Sequence, residues 1–215
     1  MEIWYNITVI SGLSCLVPAV AGWWRLQKIR PVFYPFIVVL TANYCAELLS
    51  FILVKTGRDN TGWYNCYALI YLLLILLQLY KWSPARSVSV MLRFSGLLLC
   101  LLWLFTCLFA GGLAANFTLF LLFRDSSIAA FCFLLLYQRI PACTFSIYKD
   151  AVVLICCGWL FLFVYDGIMQ LLFLWGQWLE NPSLPYLQPF YSIVNFLVLL
   201  IHLIAVIWIP PKTPL

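Results

Sequence analysis

The chain has 215 residues, of which 66% are hydrophobic and only 9% are Asp, Glu, Lys or Arg, and its mean hydropathy is +1.04. A soluble domain carries about a quarter charged residues, so a soluble globular enzyme, a disordered chain and a basic nucleic-acid binder are excluded first. The net charge of +5 does not point to nucleic acid either, because the basic residues lie in short segments between apolar runs, the pattern of membrane orientation.

A helix needs about 20 apolar residues to cross the hydrocarbon core of a bilayer. Stretches of this kind occupy roughly 4–24, 32–54, 63–81, 90–110, 118–138, 152–175 and 188–209. The expectation is an all-α polytopic integral membrane protein, with residues 1–215 forming one seven-helix transmembrane domain. The first run lacks a basic leading segment and reads as a retained span rather than a signal peptide. Pro18 and Pro35 are expected to kink spans one and two. Span two carries Asn43, Tyr44 and Glu47, with Asn43 and Glu47 four apart on one helix face. Span three opens with Tyr64, Asn65, Cys66 and Tyr67. Span four has little polarity beyond Thr106 and is expected to face lipid or a partner subunit. Span five contains Arg124, Asp125, Ser126 and Ser127. A span starting at Ser126 would be about 20 Å long, too short to cross, so the charge pair belongs inside. Span six holds Tyr165, Asp166 and Gln170, and span seven holds Tyr191, Ser192, Asn195 and the lone His202.

Orientation follows from Lys and Arg. Of the 12 basic residues, Arg25, Lys28, Arg30, Lys81, Arg86, Arg93, Arg139, Lys149 and Lys212 fall on one side of an alternating topology, against Lys55 and Arg58 on the other. The positive-inside rule then sets the N-terminus outside and the C-terminus in the cytoplasm, in the plasma (inner) membrane. An odd number of spans agrees. Interfacial belts are expected from Trp4, Tyr5, Trp63, Tyr64, Trp175, Trp178 and Tyr186 on the outer side. Trp23, Trp24, Tyr80, Trp82, Tyr148 and Trp208 would form the inner belt.

Charges in hydrocarbon cost roughly 3 kcal/mol or more each, so Glu47, Arg124, Asp125 and Asp166 need a reason. All four fall in the outer half, about 10–13 Å from the outer end of their spans by helical rise. With Asn43, Tyr44, Asn65, Tyr67, Ser126, Tyr165, Tyr191 and Asn195 they form one polar layer. One reading is a structural network in which Arg124 pairs with Glu47 or Asp166 and the amides staple helices together. The other is an outward-facing polar pocket for a small polar ligand or cation, favoured by three carboxylates against one guanidinium. The inner half offers only Gln78 and His202.

The expected function is therefore non-enzymatic and receptor-like: the chain binds or senses a small polar ligand or ion. Its short loops pass any signal to a partner membrane or signalling protein. A first alternative is a small-solute or ion transporter of three-plus-one-plus-three type. Spans two and six each carry an outer-half acid preceded by a Tyr, and span four between them is apolar. A second is a structural or accessory subunit. No HExxH, GxSxG or phosphate-loop pattern is present, and an intramembrane carboxylate pair, Asp166 with Asp125 or Glu47, is the remaining enzymatic option. No cofactor is expected: a single His excludes a His-based metal or haem site, and 188–209 has no lysine to hold retinal. Of the nine cysteines, none forms a CxxC and most read as core residues, Cys66 and Cys107 being the one pair placed for a disulfide. The expected partners are the lipid bilayer and a ligand or signalling protein, with no nucleic acid.

Overall fold

The computed structural model describes residues 2–83, 85–109, 111–115, 117–142, 147–179 and 188–212, of which 2–6, 142, 176–179 and 188–189 by backbone alone. Its helices are α1 (Glu2–Leu13), α2 (Leu16–Arg25), α3 (Tyr34–Lys55), α4 (Thr61–Trp82), α5 (Arg86–Phe109), α6 (Thr118–Arg139), α7 (Ala151–Leu179) and α8 (Gln188–Trp208). Among the described residues, seven segments are long and apolar enough to cross a membrane, from Ile7–Arg25 to Phe190–Trp208. Among the described residues there is no strand, only an isolated bridge between Ile29 and Pro211. Such a helix set is that of a multi-pass membrane protein, because helices alone satisfy their backbone groups without water.

The first span is two helices. It breaks at Ser14 and Cys15. Pro18 has no N–H to give to the Ser14 carbonyl, which instead accepts from Val17 at 3.1 Å. Side chains satisfy the carbonyls freed at the break: Ser14 Oγ donates to Ser11 O at 2.6 Å and Cys15 Sγ to Gly12 O at 2.8 Å. Pro35 does not kink span two. It stands in the first turn of α3, where its missing N–H costs nothing. The start of α3 is held instead by fully buried Gln78 of α4, whose Oε1 accepts from Phe36 N–H at 2.7 Å and whose Nε2 donates to Val32 O at 2.8 Å. At the other end of α3, Gly57 takes φ +71°, with Gly57 N–H on Val54 O and Arg58 N–H on Leu53 O, a Schellman stop.

Six spans close a ring. The broken first span packs on α3, α3 on α4, α4 on α6, α6 on α7, α7 on α8, and α8 returns to α1 and α2. Helix α5 stands outside, on α4 and α6, with Phe94, Leu98, Leu101, Phe105 and Leu108 exposed along its far side.

One seam fastens the ring at the end where residues 28 and 212 meet. Arg25 Nη1 donates to Val206 O and, at 2.6 Å, to Ile207 O, while Nη2 reaches Ile209 O at 3.2 Å. A guanidinium thus covers the orphan carbonyls and negative dipole end of α8. Beside it, Lys212 N–H donates to Lys28 O at 2.7 Å and Arg30 N–H to Pro210 O at 3.3 Å. Trp82, expected in an interfacial belt, is turned inward instead, its ring 5.5 Å from Phe33 and 6.0 Å from Trp159. The side chains of Trp4, Tyr5, Trp178 and Tyr186 lie outside the described residues.

Candidate functional site

Inside the ring lies a cavity of about 370 Å³, within the usual 300–1,000 Å³ range of small-molecule sites. Helical geometry builds its wall, because residues four apart share a face. Asn43 and Glu47 come from α3, Tyr67 and Tyr71 from α4, Asp166 and Gln170 from α7, and Tyr191 and Asn195 from α8. Tyr64, Asn65 and Arg124 complete the polar lining, and Leu121, Leu162 and Met169 the apolar part.

Of the residues expected from the sequence, Asn43, Glu47, Asn65, Tyr67, Arg124, Asp166, Tyr191 and Asn195 are brought together. Tyr44, Asp125, Ser126 and Tyr165 do not line the cavity. The reason is rotation by about 100° per residue: Tyr44 follows Asn43, Tyr165 precedes Asp166, and Ser126 is two past Arg124 on an exposed face. Tyr165 still touches the site from behind, its ring 6.2 Å from that of Tyr191. Tyr64 was expected in the outer aromatic belt and is instead a wall residue. Tyr71 was missed, although its spacing from Tyr67 carried the signal.

Arg124 pairs with neither Glu47 nor Asp166. Its Nε donates to Asp125 Oδ1 at 2.7 Å, and Nη2 stands 2.7 Å from the same oxygen. Neighbouring residues on a helix do not ordinarily face each other, but the long arginine stem curls back, and the guanidinium lies 5.9 Å above the Phe163 ring. Asp125 is fully buried against Gly167 of α7, with its Oδ2 lacking a hydrogen-bond partner among the described residues.

Glu47 receives a hydrogen bond from Tyr64 Oη at 3.2 Å, and Tyr67 Oη donates to Asn43 Oδ1 at 2.8 Å. The Glu47 carboxylate also rests on Gly12 of the broken span: a Cβ there would stand 2.8 Å from Oε2. Two amides act as staples. Asn65 Nδ2 donates to Leu113 O at 2.7 Å and Ala115 O at 3.0 Å, fixing the segment between α5 and α6. Asn195 Nδ2 reaches Ser11 Oγ at 3.2 Å, and Ser11 Oγ donates to Ser192 O at 2.9 Å, tying α8 to α1. Asp166 and Gln170 make no hydrogen bond or ion pair to another described residue.

Beside the cavity the bundle is closely packed. A void of about 10 Å³ lies between Asn43, Asn195, Tyr71 and His202. His202 is buried, with its ring edge-on to Phe36 at 5.4 Å and to Trp159 at 6.1 Å. Its Nε2 has no hydrogen-bond partner among the described residues and lies 2.8 Å from where a Cβ on Gly158 would be. Cys66 and Cys107 are both free thiols, so the one disulfide that the sequence allowed is not formed. No grouping of His, Cys, Asp and Glu able to hold a metal occurs among the described residues. Comparison with protein-family models, curated proteins and solved structures finds no match to this chain.

Proposed function

We propose that the protein is a non-enzymatic receptor-like membrane module whose cavity takes a small cation, an organic ammonium above all, and passes the state of the site to a partner protein. The observation that carries this reading is the allocation of charge. Arg124, the cavity's only cation among the described residues, is engaged by Asp125, while Glu47 and Asp166 both face the same space. Tyr64, Tyr67, Tyr71 and Tyr191 line it as well, and aromatic faces attract ammonium groups by roughly 0.5–2 kcal/mol. A ligand carrying positive charge offsets two carboxylates that otherwise sit in a low-dielectric bundle.

The count of Lys and Arg supports an orientation with the cavity end outside and Lys212 in the cytoplasm of a plasma membrane. A reporter fused after Leu215 that reads as external would overturn it. Transport by alternating access is the second reading, favoured by the ring of three plus three spans with α5 outside. It fits less well, because Gln78 is consumed in holding α3 and His202 is packed among rings, which leaves neither free to line a polar path through the other half of the described bundle.

The test is calorimetric titration of the purified protein with methylammonium, tetramethylammonium and sodium. The reading expects binding of at least one of these that weakens at least about ten-fold, or roughly 1.4 kcal/mol, in both Asp166→Asn and Glu47→Gln. No binding of any probe, or binding that both variants leave unchanged, sinks it. Flux of the same probes into proteoliposomes, abolished by Asp166→Asn, would favour the transporter.

A further inference from the structure

We propose a second binding site, independent of the cavity: a groove between α4 and α5 that holds one acyl chain of an anionic glycerophospholipid, with its phosphate on Arg93.

The groove encloses about 420 Å³ and is lined by Leu73, Leu77, Leu92, Leu97 and Cys100, with Gly96 at its floor. Gly96 makes the slot: a Cβ there would already stand 3.1 Å from Leu76 Cδ1, so a larger side chain fills the space. The slot is apolar along its length except at one end. There Arg93 Nη2 donates to Tyr80 Oη, and the guanidinium stacks 4.8 Å above the Tyr80 ring. Arg93 makes no ion pair with a described carboxylate. Its stem lies on the groove while its exposed head turns toward the α4–α5 connection, where Lys81 and Arg86 add positive charge.

An apolar slot leading to an unneutralised guanidinium has the chemistry of a lipid with a negative headgroup. The chain fills the slot, and Arg93 and Tyr80 Oη address the phosphate oxygens. A free phosphate would use the cation but not the slot, and a zwitterionic lipid would use the slot with less of the charge. Among the described residues, helix α5 packs chiefly on α4 and α6, so a lipid here would act as mortar on the outlying helix.

The experiment is native mass spectrometry of the full chain, with phosphatidylglycerol and phosphatidylcholine of identical acyl chains, and inorganic phosphate as a third probe. The expected result is preferential retention of phosphatidylglycerol in the wild type. Arg93→Gln should reduce that retention about five-fold, the ratio for roughly 1 kcal/mol per basic residue near a lipid surface, while leaving phosphatidylcholine unchanged. Arg93→Lys should keep most of it. Gly96→Leu should reduce both lipids. Because that change is at a packed floor, Leu97→Trp, which fills the slot from its exposed side, serves as the second variant. Equal retention of both lipids by the wild type, phosphate binding as tight as the lipid, or unchanged retention in Leu97→Trp would each overturn the site. Titration of the cavity with ammonium probes is unaffected by these variants, so this proposal and the functional one fail separately.

Discussion

Asp125 holds the guanidinium of the residue directly before it, Arg124, through one carboxylate oxygen at 2.7 Å, and the other oxygen of that carboxylate has no hydrogen-bond partner among the described residues. The pair is local, buried and internally neutral. Removing one member strands the other charge in a low-dielectric bundle, at a cost of about 3–5 kcal/mol. Asp125→Leu is therefore expected to lower thermal stability sharply in detergent. The double variant Arg124→Met/Asp125→Leu, which removes both charges, should recover most of that loss. A double variant no better than the single would show that Arg124 has another partner.

Gly12 makes room for Glu47. With Oε2 2.8 Å from a Cβ at position 12, Gly12→Ala makes the flexible end of Glu47 shift. Overpacking of this kind costs about 1–3 kcal/mol. Adding Glu47→Ala to Gly12→Ala should relieve the clash, and a double-mutant cycle should return a coupling of about 0.5–3 kcal/mol. Additive effects within the scatter of independent sites would refute the contact.

Arg25 covers three carbonyls at the end of α8. Arg25→Met keeps the aliphatic stem and removes these bonds together with the charge at the helix dipole, for a loss of about 1–2 kcal/mol. Hydrogen exchange gives the local readout: the Lys212 amide, bonded to Lys28 O, should exchange faster in the variant. Arg25→Lys should rescue only part, since a point charge cannot fork across carbonyls.

Asp59 lies outside the spans, just before α4, where its Oδ1 accepts from Thr61 Oγ1 at 2.7 Å and from Thr61 N–H at 3.0 Å. These bonds hold its carboxyl below the ordinary aspartate value, the hydroxyl contributing most. The native state thus disfavours the proton. The stabilisation is complete above the unfolded value of about 3.9 and is lost as pH falls through the lower native value. Asp59→Ala should be less stable than the wild type above about pH 4, and the two melting curves should converge in stronger acid. A constant difference across the acid range would assign the effect to something other than titration.

Much of this architecture was legible in the sequence because hydrophobic length is additive along a chain. The seven apolar stretches and the apolar character of α5 needed no knowledge of neighbours. The polar layer was legible for the same reason: Glu47, Arg124 and Asp166 stand out against hydrocarbon wherever they point. What failed was azimuth and partnership. Tyr44 and Tyr165 fell one residue off the inward face, and consistent use of the four-residue repeat would have dropped them and added Tyr71. That Arg124 turns to its own neighbour could not be read from spacing, since adjacent helical residues diverge and only the flexible stem allows it. The break at Ser14 was hidden because Pro18 alone does not say whether a helix bends or parts, and the side chains that cover the freed carbonyls lie just before it.

The seam between the first and last spans has a consequence for biogenesis. The ring closes only through α8, which also brings Tyr191 and Asn195 to the cavity. During synthesis α3, α4, α6 and α7 are complete before that wall exists, and Glu47 and Asp166 then border an open cleft rather than an enclosed chamber. Until α8 is in place, Glu47 and Asp166 lack the wall that Tyr191 and Asn195 supply. The clasp of Arg25 on the end of α8 therefore joins the first part of the chain to the last.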